Sequence, residues 1–196
     1  DIRWYGILIA CGMLLAVLIS CKRAPRHGIT DEDVLDIAIW MLPIGVIGAR
    51  VYYVIFNLDY YTTLSSMLDI RSGGLAIHGG LIFSIITVYI ICRRKKIDTF
   101  NVFDLFIPTV ALAQSIGRWG NYFNGEAHGG PTDLPWGILV DGVKVHPTFL
   151  YESIWCLILF FALSWFNNNK RYANGQTIAL YFIFYSLERF FVESLR

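Results

Sequence analysis

Trp4-Tyr-Gly-Ile-Leu-Ile-Ala-Cys-Gly-Met-Leu-Leu-Ala-Val-Leu-Ile-Ser-Cys21 runs without one charged residue. About 20 largely apolar residues are enough for a helix to cross a hydrocarbon core of about 30 Å, so this stretch reads as a membrane span. Five more segments follow the same pattern: residues 37–58 with Arg50, 75–92 with His78, 100–117 with Asp104, 148–166 with Glu152, and 177–192 with Glu188 and Arg189. Backbone groups in lipid must be satisfied within the segment, which leaves helices as the spanning form. The ten-residue alternation of an outer-membrane barrel is missing. The expected fold is therefore an all-α polytopic membrane protein with about six transmembrane helices. Composition agrees: 56% of the 196 residues are apolar and 16% charged, against about 45–50% and 25% in soluble domains. Sixteen basic and fifteen acidic residues give a net charge of +1, which excludes the basic surface of a nucleic-acid binder.

The loops set the orientation. Lys22, Arg23 and Arg26 follow the first span, Arg93 to Lys96 the third, and Lys170 with Arg171 the fifth. These alternate loops share one side, and the positive-inside bias makes it the cytoplasm. The N-terminus, the 59–74 loop and the 118–150 segment then lie outside. The whole of 1–196 reads as one integral membrane domain. Segment 118–150, rich in Gly, Asn, Pro and Asp, reads as a small extracytoplasmic cap between spans four and five, with Asp141-Gly142 as a hairpin turn.

The four cysteines sit in or beside apolar runs, where free thiols behave as small inert hydrophobes. Leu18-Ile19-Ser20-Cys21 looks like a lipoprotein cleavage box, but the basic residues follow the apolar run instead of preceding it, the reverse of a signal peptide. His27, His128 and His146 lack paired ligand spacing, and no metal is assigned.

Ionisable side chains within spans usually mark a polar cavity or a functional site. Arg50, His78, Arg118, Arg189 and Glu193 all fall towards the outer ends of their helices. Together they suggest an outer-leaflet site cationic enough to hold an anion. The densest stretch is Gly117-Arg118-Trp119-Gly120-Asn121-Tyr122-Phe123-Asn124-Gly125-Glu126-Ala127-His128-Gly129. A guanidinium fork can bind phosphate oxygens bidentately, and Asn121 and Asn124 can add donors. Each residue has a plainer reading. Arg189 and Glu193 could be a simple helix-surface pair, Arg50 could reach to lipid headgroups, and His78 could be a packing histidine among glycines.

That stretch closely resembles the signature of the bacterial prolipoprotein diacylglyceryl transferase family, Gly-Arg-x-Gly-Asn-(aromatic)-x-Asn-x-Glu-x-x-Gly. Four further motifs support the resemblance in order: Arg3-Trp4-Tyr5-Gly6, His78-Gly79-Gly80-Leu81, His146-Pro147-Thr148-x-x-Tyr151-Glu152, and Tyr185-Ser186-x-x-Arg189-Phe190-Phe191-Val192-Glu193-x-x-Arg196. Asp104 also falls where that family carries an aspartate. The resemblance implies transfer of the sn-1,2-diacylglyceryl group from phosphatidylglycerol to the lipobox cysteine of prolipoprotein signal peptides, releasing glycerol phosphate. The reaction would take place at the outer leaflet of the bacterial cytoplasmic membrane, without a cofactor. It maps the family's functional residues onto Tyr5, His78, Arg118, Asn121, Asn124, Glu126, Arg189 and Glu193. It also implies a further membrane helix beyond Arg196, so the chain is expected to be a trimmed form of the family fold.

In the expected chemistry, Arg118 and Arg189 bind the lipid phosphate and then the leaving group, since placed cations stabilise developing negative charge. Glu126 and Glu193 would hold the guanidinium planes. His78 is the candidate base for the substrate thiol, a role that suits imidazole near neutral pH. The chain's own cysteines are not needed. Two rivals stand beside this reading: a small channel or carrier with an arginine-lined anion site, and a non-catalytic lipid-binding subunit.

Overall fold

The computed structural model describes residues 4–61, 63–70 and 73–196, so Arg3 of the first motif lies outside the described residues. Among the described residues, seven α-helices and one hairpin follow in order: α1 (Trp4–Arg23), α2 (Asp31–Ile55), α3 (Leu64–Leu68), α4 (Ile77–Lys95), α5 (Thr99–Phe123), β1 (Ile138–Val140), β2 (Val143–Val145), α6 (Thr148–Asn169) and α7 (Gln176–Glu193). α1, α2, α4, α5 and α6 have the length and hydropathy to cross a bilayer. α7 occupies the expected sixth span and carries Glu188, Arg189 and Glu193 within its eighteen residues. The protein is an all-α polytopic membrane protein whose only described sheet has two strands.

The chain packs as two compact units, one built from 1–28 and 100–196, the other from 29–99. The second unit is the α2–α4 pair with α3 and its loops. Thr30 opens α2 as a capping box: its hydroxyl accepts from the Asp33 amide at 3.1 Å, and its own amide donates to the Asp33 carboxylate at 3.3 Å. Lipid offers no hydrophobic drive between helices, so small residues at the seam let backbones approach. Gly45 and Gly48 of α2 face Ser84 and Phe83 of α4, and a Cβ on Gly79 would run into the backbone of Gly48 and the side chain of Tyr52.

In the first unit the helices are joined by hydrogen bonds that avoid lipid. Ser20 of α1 meets Thr109 of α5 at 2.9 Å, and Gly12 lies against Ala113. Ser115 of α5 donates to the Ser153 carbonyl of α6 at 2.8 Å. Tyr181 of α7 donates to Gln114 of α5 at 2.7 Å, and Trp155 of α6 to the Phe184 carbonyl of α7 at 3.1 Å. Ala111, Leu159, Leu163 and Tyr181 form the apolar core of this bundle.

Asp104, fully buried on α5, sets the start of α7. Its two oxygens accept from the amides of Gly175 at 2.7 Å and Ile178 at 2.9 Å. A carboxylate there satisfies orphan amide donors and complements the positive end of the helix.

The hairpin forms at the predicted turn. Asp141 and Gly142 have φ of 50° and 81°, the left-handed pair a two-residue turn of this type demands, and Ile138 faces Val145 across the ladder. The segment from 127 to 148 is tied down at several points. Thr148 Oγ1 donates to the Ala127 carbonyl at 2.6 Å, and Trp136 donates to the Tyr151 hydroxyl at 2.9 Å. The Gly130 amide donates to the Leu195 carbonyl just past α7 at 2.7 Å.

Candidate active site

α5 does not stop at Gly117. It continues to Phe123, so Arg118, Trp119 and Asn121 of the signature are helical and only the part from Asn124 onward is turn. Gly120 is required here because the Tyr5 ring of α1 lies where its Cβ would stand. The first positive φ comes at Gly125, 69°. Trp119 packs edge-on to Phe149, and its indole donates to Ser153 Oγ at 3.1 Å, fixing the C-terminal end of α5 against α6.

These constraints bring Arg118 to Glu152 of α6. The guanidinium Nε meets Glu152 Oε2 at 2.5 Å, while Nη2 donates to the Tyr185 hydroxyl of α7 at 3.3 Å. Arg189 of α7 approaches the other oxygen: Nη1 meets Glu152 Oε1 at 2.5 Å, and Nη2 donates to Glu193 at 2.8 Å. Arg196 adds weaker bonds to the same two carboxylates, at 3.3 and 3.5 Å. Glu152 has 1% side-chain exposure, whereas Arg118 and Arg189 keep 21% and 30%. One buried carboxylate thus holds two partly open guanidinium groups from different helices. Arg118, Arg189 and Arg196 thus stand against Glu152 and Glu193, with buried Glu188 within electrostatic reach of the same three arginines. Nη1 of Arg118 and Nε of Arg189 have no hydrogen-bond partner among the described residues, which leaves donors for an anionic ligand.

Glu126 does not take the orienting role expected of it. It is exposed, and its carboxylate accepts from Asn124 at 3.3 Å, while its amide closes a turn on the Asn121 carbonyl at 2.9 Å. The carboxylate that orients Arg118 is Glu152. The sequence signal for it was present, an acidic residue inside an apolar span, but nothing local named its partners 34 and 37 positions away. Tyr185 of the last motif faces the same cluster and gives no signal of its own in the sequence beyond that motif. It stacks on Tyr181 with ring centroids 5.3 Å apart, which steadies the hydroxyl facing Arg118. Glu188 is also buried, and neither of its oxygens has a hydrogen bond among the described residues.

The other unit holds Arg50 and His78. Arg50 is 4% exposed, and four of its five N–H donors go to main-chain carbonyls: Nε to Met67 at 2.8 Å, Nη2 to Ser66 at 2.7 Å, and Nη1 to Gly73 at 2.5 Å and Gly74 at 3.1 Å. The Tyr61 ring lies 5.1 Å from the guanidinium carbon. Gly73 and Gly74, with φ of 88° and 70°, turn their carbonyls toward it. Expected as a substrate ligand, Arg50 instead directs its donors to the loop between α2 and α4. His78 stands exposed in the first turn of α4, its ring 6.2 Å from that of Tyr52.

Comparison with known proteins adds to this geometry. The family model described as prolipoprotein diacylglyceryl transferase matches residues 1–196. A phosphatidylglycerol–prolipoprotein diacylglyceryl transferase of Clostridioides difficile (strain 630) is 57% identical over 197 residues, covering 100% of this chain and 79% of that protein. Its namesake in Finegoldia magna is 50% identical with the same coverage. A third, in Thermotoga maritima, is 44% identical over 208 residues, 71% of its length. From the whole-chain match and these identities, the chain belongs to the prolipoprotein diacylglyceryl transferase family.

Proposed function

We propose that this chain transfers the sn-1,2-diacylglyceryl group of phosphatidylglycerol to the lipobox cysteine of a prolipoprotein, at the outer leaflet of the bacterial cytoplasmic membrane. The observation that carries the reading is the pair Arg118 and Arg189 on opposite oxygens of buried Glu152.

The substrate thiolate attacks the glyceryl carbon that bears the phosphate. A carbon–sulfur bond forms, the carbon–oxygen bond to phosphate breaks, and the electron pair leaves on glycerol phosphate. Negative charge grows on the departing oxygen, and donors already fixed in a water-poor site stabilise it without reorganising. Arg118 and Arg189 are placed for this, with Glu152 and Glu193 holding their planes. Asn121 and Asn124 supply further donors at the end of α5, and Tyr5 borders the same end of the helix. The thiol proton passes to a base, for which His78 is the candidate. Arg50 fixes the loop after α2 through its bonds to the carbonyls of Ser66, Met67, Gly73 and Gly74.

The test incubates the purified chain with phosphatidylglycerol and a lipobox peptide and seeks a diacylglyceryl adduct on the cysteine by mass spectrometry, with a Cys-to-Ser peptide as control. An adduct on the cysteine peptide alone supports the reading. Flux of a labelled anion with no adduct overturns it in favour of an arginine-lined path, a reading that family membership disfavours. Near-normal turnover of His78→Gln, alongside loss in Arg118→Lys, would remove the histidine base and keep the phosphate clamp.

A further inference from the structure

Thr87, Ile90, Ile91 and Arg94 stand at positions i, i+3, i+4 and i+7 of α4, and so line one face of the helix. With Trp40 and Ile44, one turn apart on α2, they enclose a groove of about 210 Å³. The walls are mostly apolar. The Thr87 hydroxyl is turned back onto the Phe83 carbonyl at 2.7 Å, so it offers the groove no free donor. The stripe ends at Arg94, the lining residue nearest the C-terminus of α4, within the run Arg93-Arg94-Lys95-Lys96.

The basic residues of this run are not equivalent. Lys95 is committed to Asp33 at 2.7 Å and Asp36 at 2.6 Å. Arg94 forms no ion pair among the described residues, although Asp31, Glu32, Asp33 and Asp36 crowd the first turns of α2. It alone of the four lines the groove. An apolar channel that ends in an uncommitted cation, on a helix pair built to lie in a bilayer, matches a molecule with hydrocarbon chains and an anionic head. Basic pockets beside membrane helices on the cytoplasmic side bind anionic lipid heads in this way.

We propose that this groove is a binding site for an anionic phospholipid of the cytoplasmic leaflet, its phosphate on Arg94 and an acyl chain against Trp40, Ile44, Ile90 and Ile91. The site rests on the reading of the basic loops as cytoplasmic and is independent of the transfer reaction. Charge complementarity selects the occupant, since a zwitterionic head gains less from Arg94 than an anionic one.

Trp40 supplies the readout. The full chain is reconstituted in phosphatidylcholine vesicles doped with brominated phosphatidylserine or with brominated phosphatidylcholine. Phosphatidylserine is chosen as an anionic lipid that is not the proposed donor substrate. The Trp40 signal is the fluorescence difference between the chain and its Trp40→Phe variant. The anionic lipid is expected to occupy the groove about fivefold more readily than the zwitterionic one, with correspondingly stronger quenching, and Arg94→Gln should abolish the preference. Arg94→Gln should keep its diacylglyceryl transfer, which certifies the fold; if the chain shows no transfer at all, an unchanged circular dichroism melt serves instead. Equal quenching of Trp40 by both lipids overturns the site, as does a preference that survives Arg94→Gln.

Discussion

Glu152 is the residue on which the arginine cluster depends. Glu152→Gln keeps the shape but removes the charge shared by Arg118, Arg189 and Arg196, leaving guanidinium groups without their buried partner. Breaking a buried pair from one side costs about 3–5 kcal/mol, so the thermal midpoint in detergent should fall by several degrees. Transfer should drop by about 10²–10³-fold through lost preorganisation. A variant that melts and turns over normally would show that the arginines are held by something else. Arg50 makes the opposite forecast. Arg50→Ala releases four carbonyls of the 66–74 loop, and limited proteolysis should cut there faster than in the parent chain, a difference that an unlatched loop alone produces. The sequence marked both arginines as costly in a membrane and could not separate their roles. Arg118 meets side chains, whereas Arg50 meets carbonyls, and carbonyl direction follows from backbone angles at Gly73 and Gly74 that residue identity only permits.

At the scale of elements, every expected span is a helix, and the ends moved for identifiable reasons. The span read over 100–117 extends as α5 to Phe123. It continues because Gly120 is there for the Tyr5 ring and keeps ordinary helical angles. The Asp141-Gly142 turn was legible because its chemistry is entirely local. The capping of α7 by Asp104 was not, since the two amides lie 71 and 74 positions from the carboxylate in sequence. Tight helix seams give a direct test. Gly79→Ala puts a methyl group into the backbone of Gly48, and such overpacking costs about 1–3 kcal/mol. Gly6→Ala on α1 meets nothing within 4 Å and should be neutral or better. Thermal melts of the two variants should therefore diverge, and equal melts would mean that the α2–α4 seam is looser than described.

For the whole molecule the chief forecast is topology. The basic clusters follow the first, third and fifth spans, so the segment carrying the hairpin belongs outside. In a background with Cys11, Cys21, Cys92 and Cys156 replaced, Thr132→Cys should react with an impermeant maleimide on intact cells. Reaction only after permeabilisation would invert the orientation and move the arginine cluster to the cytoplasmic side. The same cysteine-free chain should retain transfer, since the attacking sulfur comes from the substrate.

The bond from the Gly130 amide to the Leu195 carbonyl couples the segment carrying the hairpin to the tail of the last described helix. In the proposed reaction, a two-tailed lipid and a lipid-bearing peptide would enter and leave from the bilayer. Any exit in which the end of α7 swings away must first part that tether, and would carry Arg189 off its carboxylate in the same stroke. Departure of product and dismantling of the phosphate grip would then be one mechanical event.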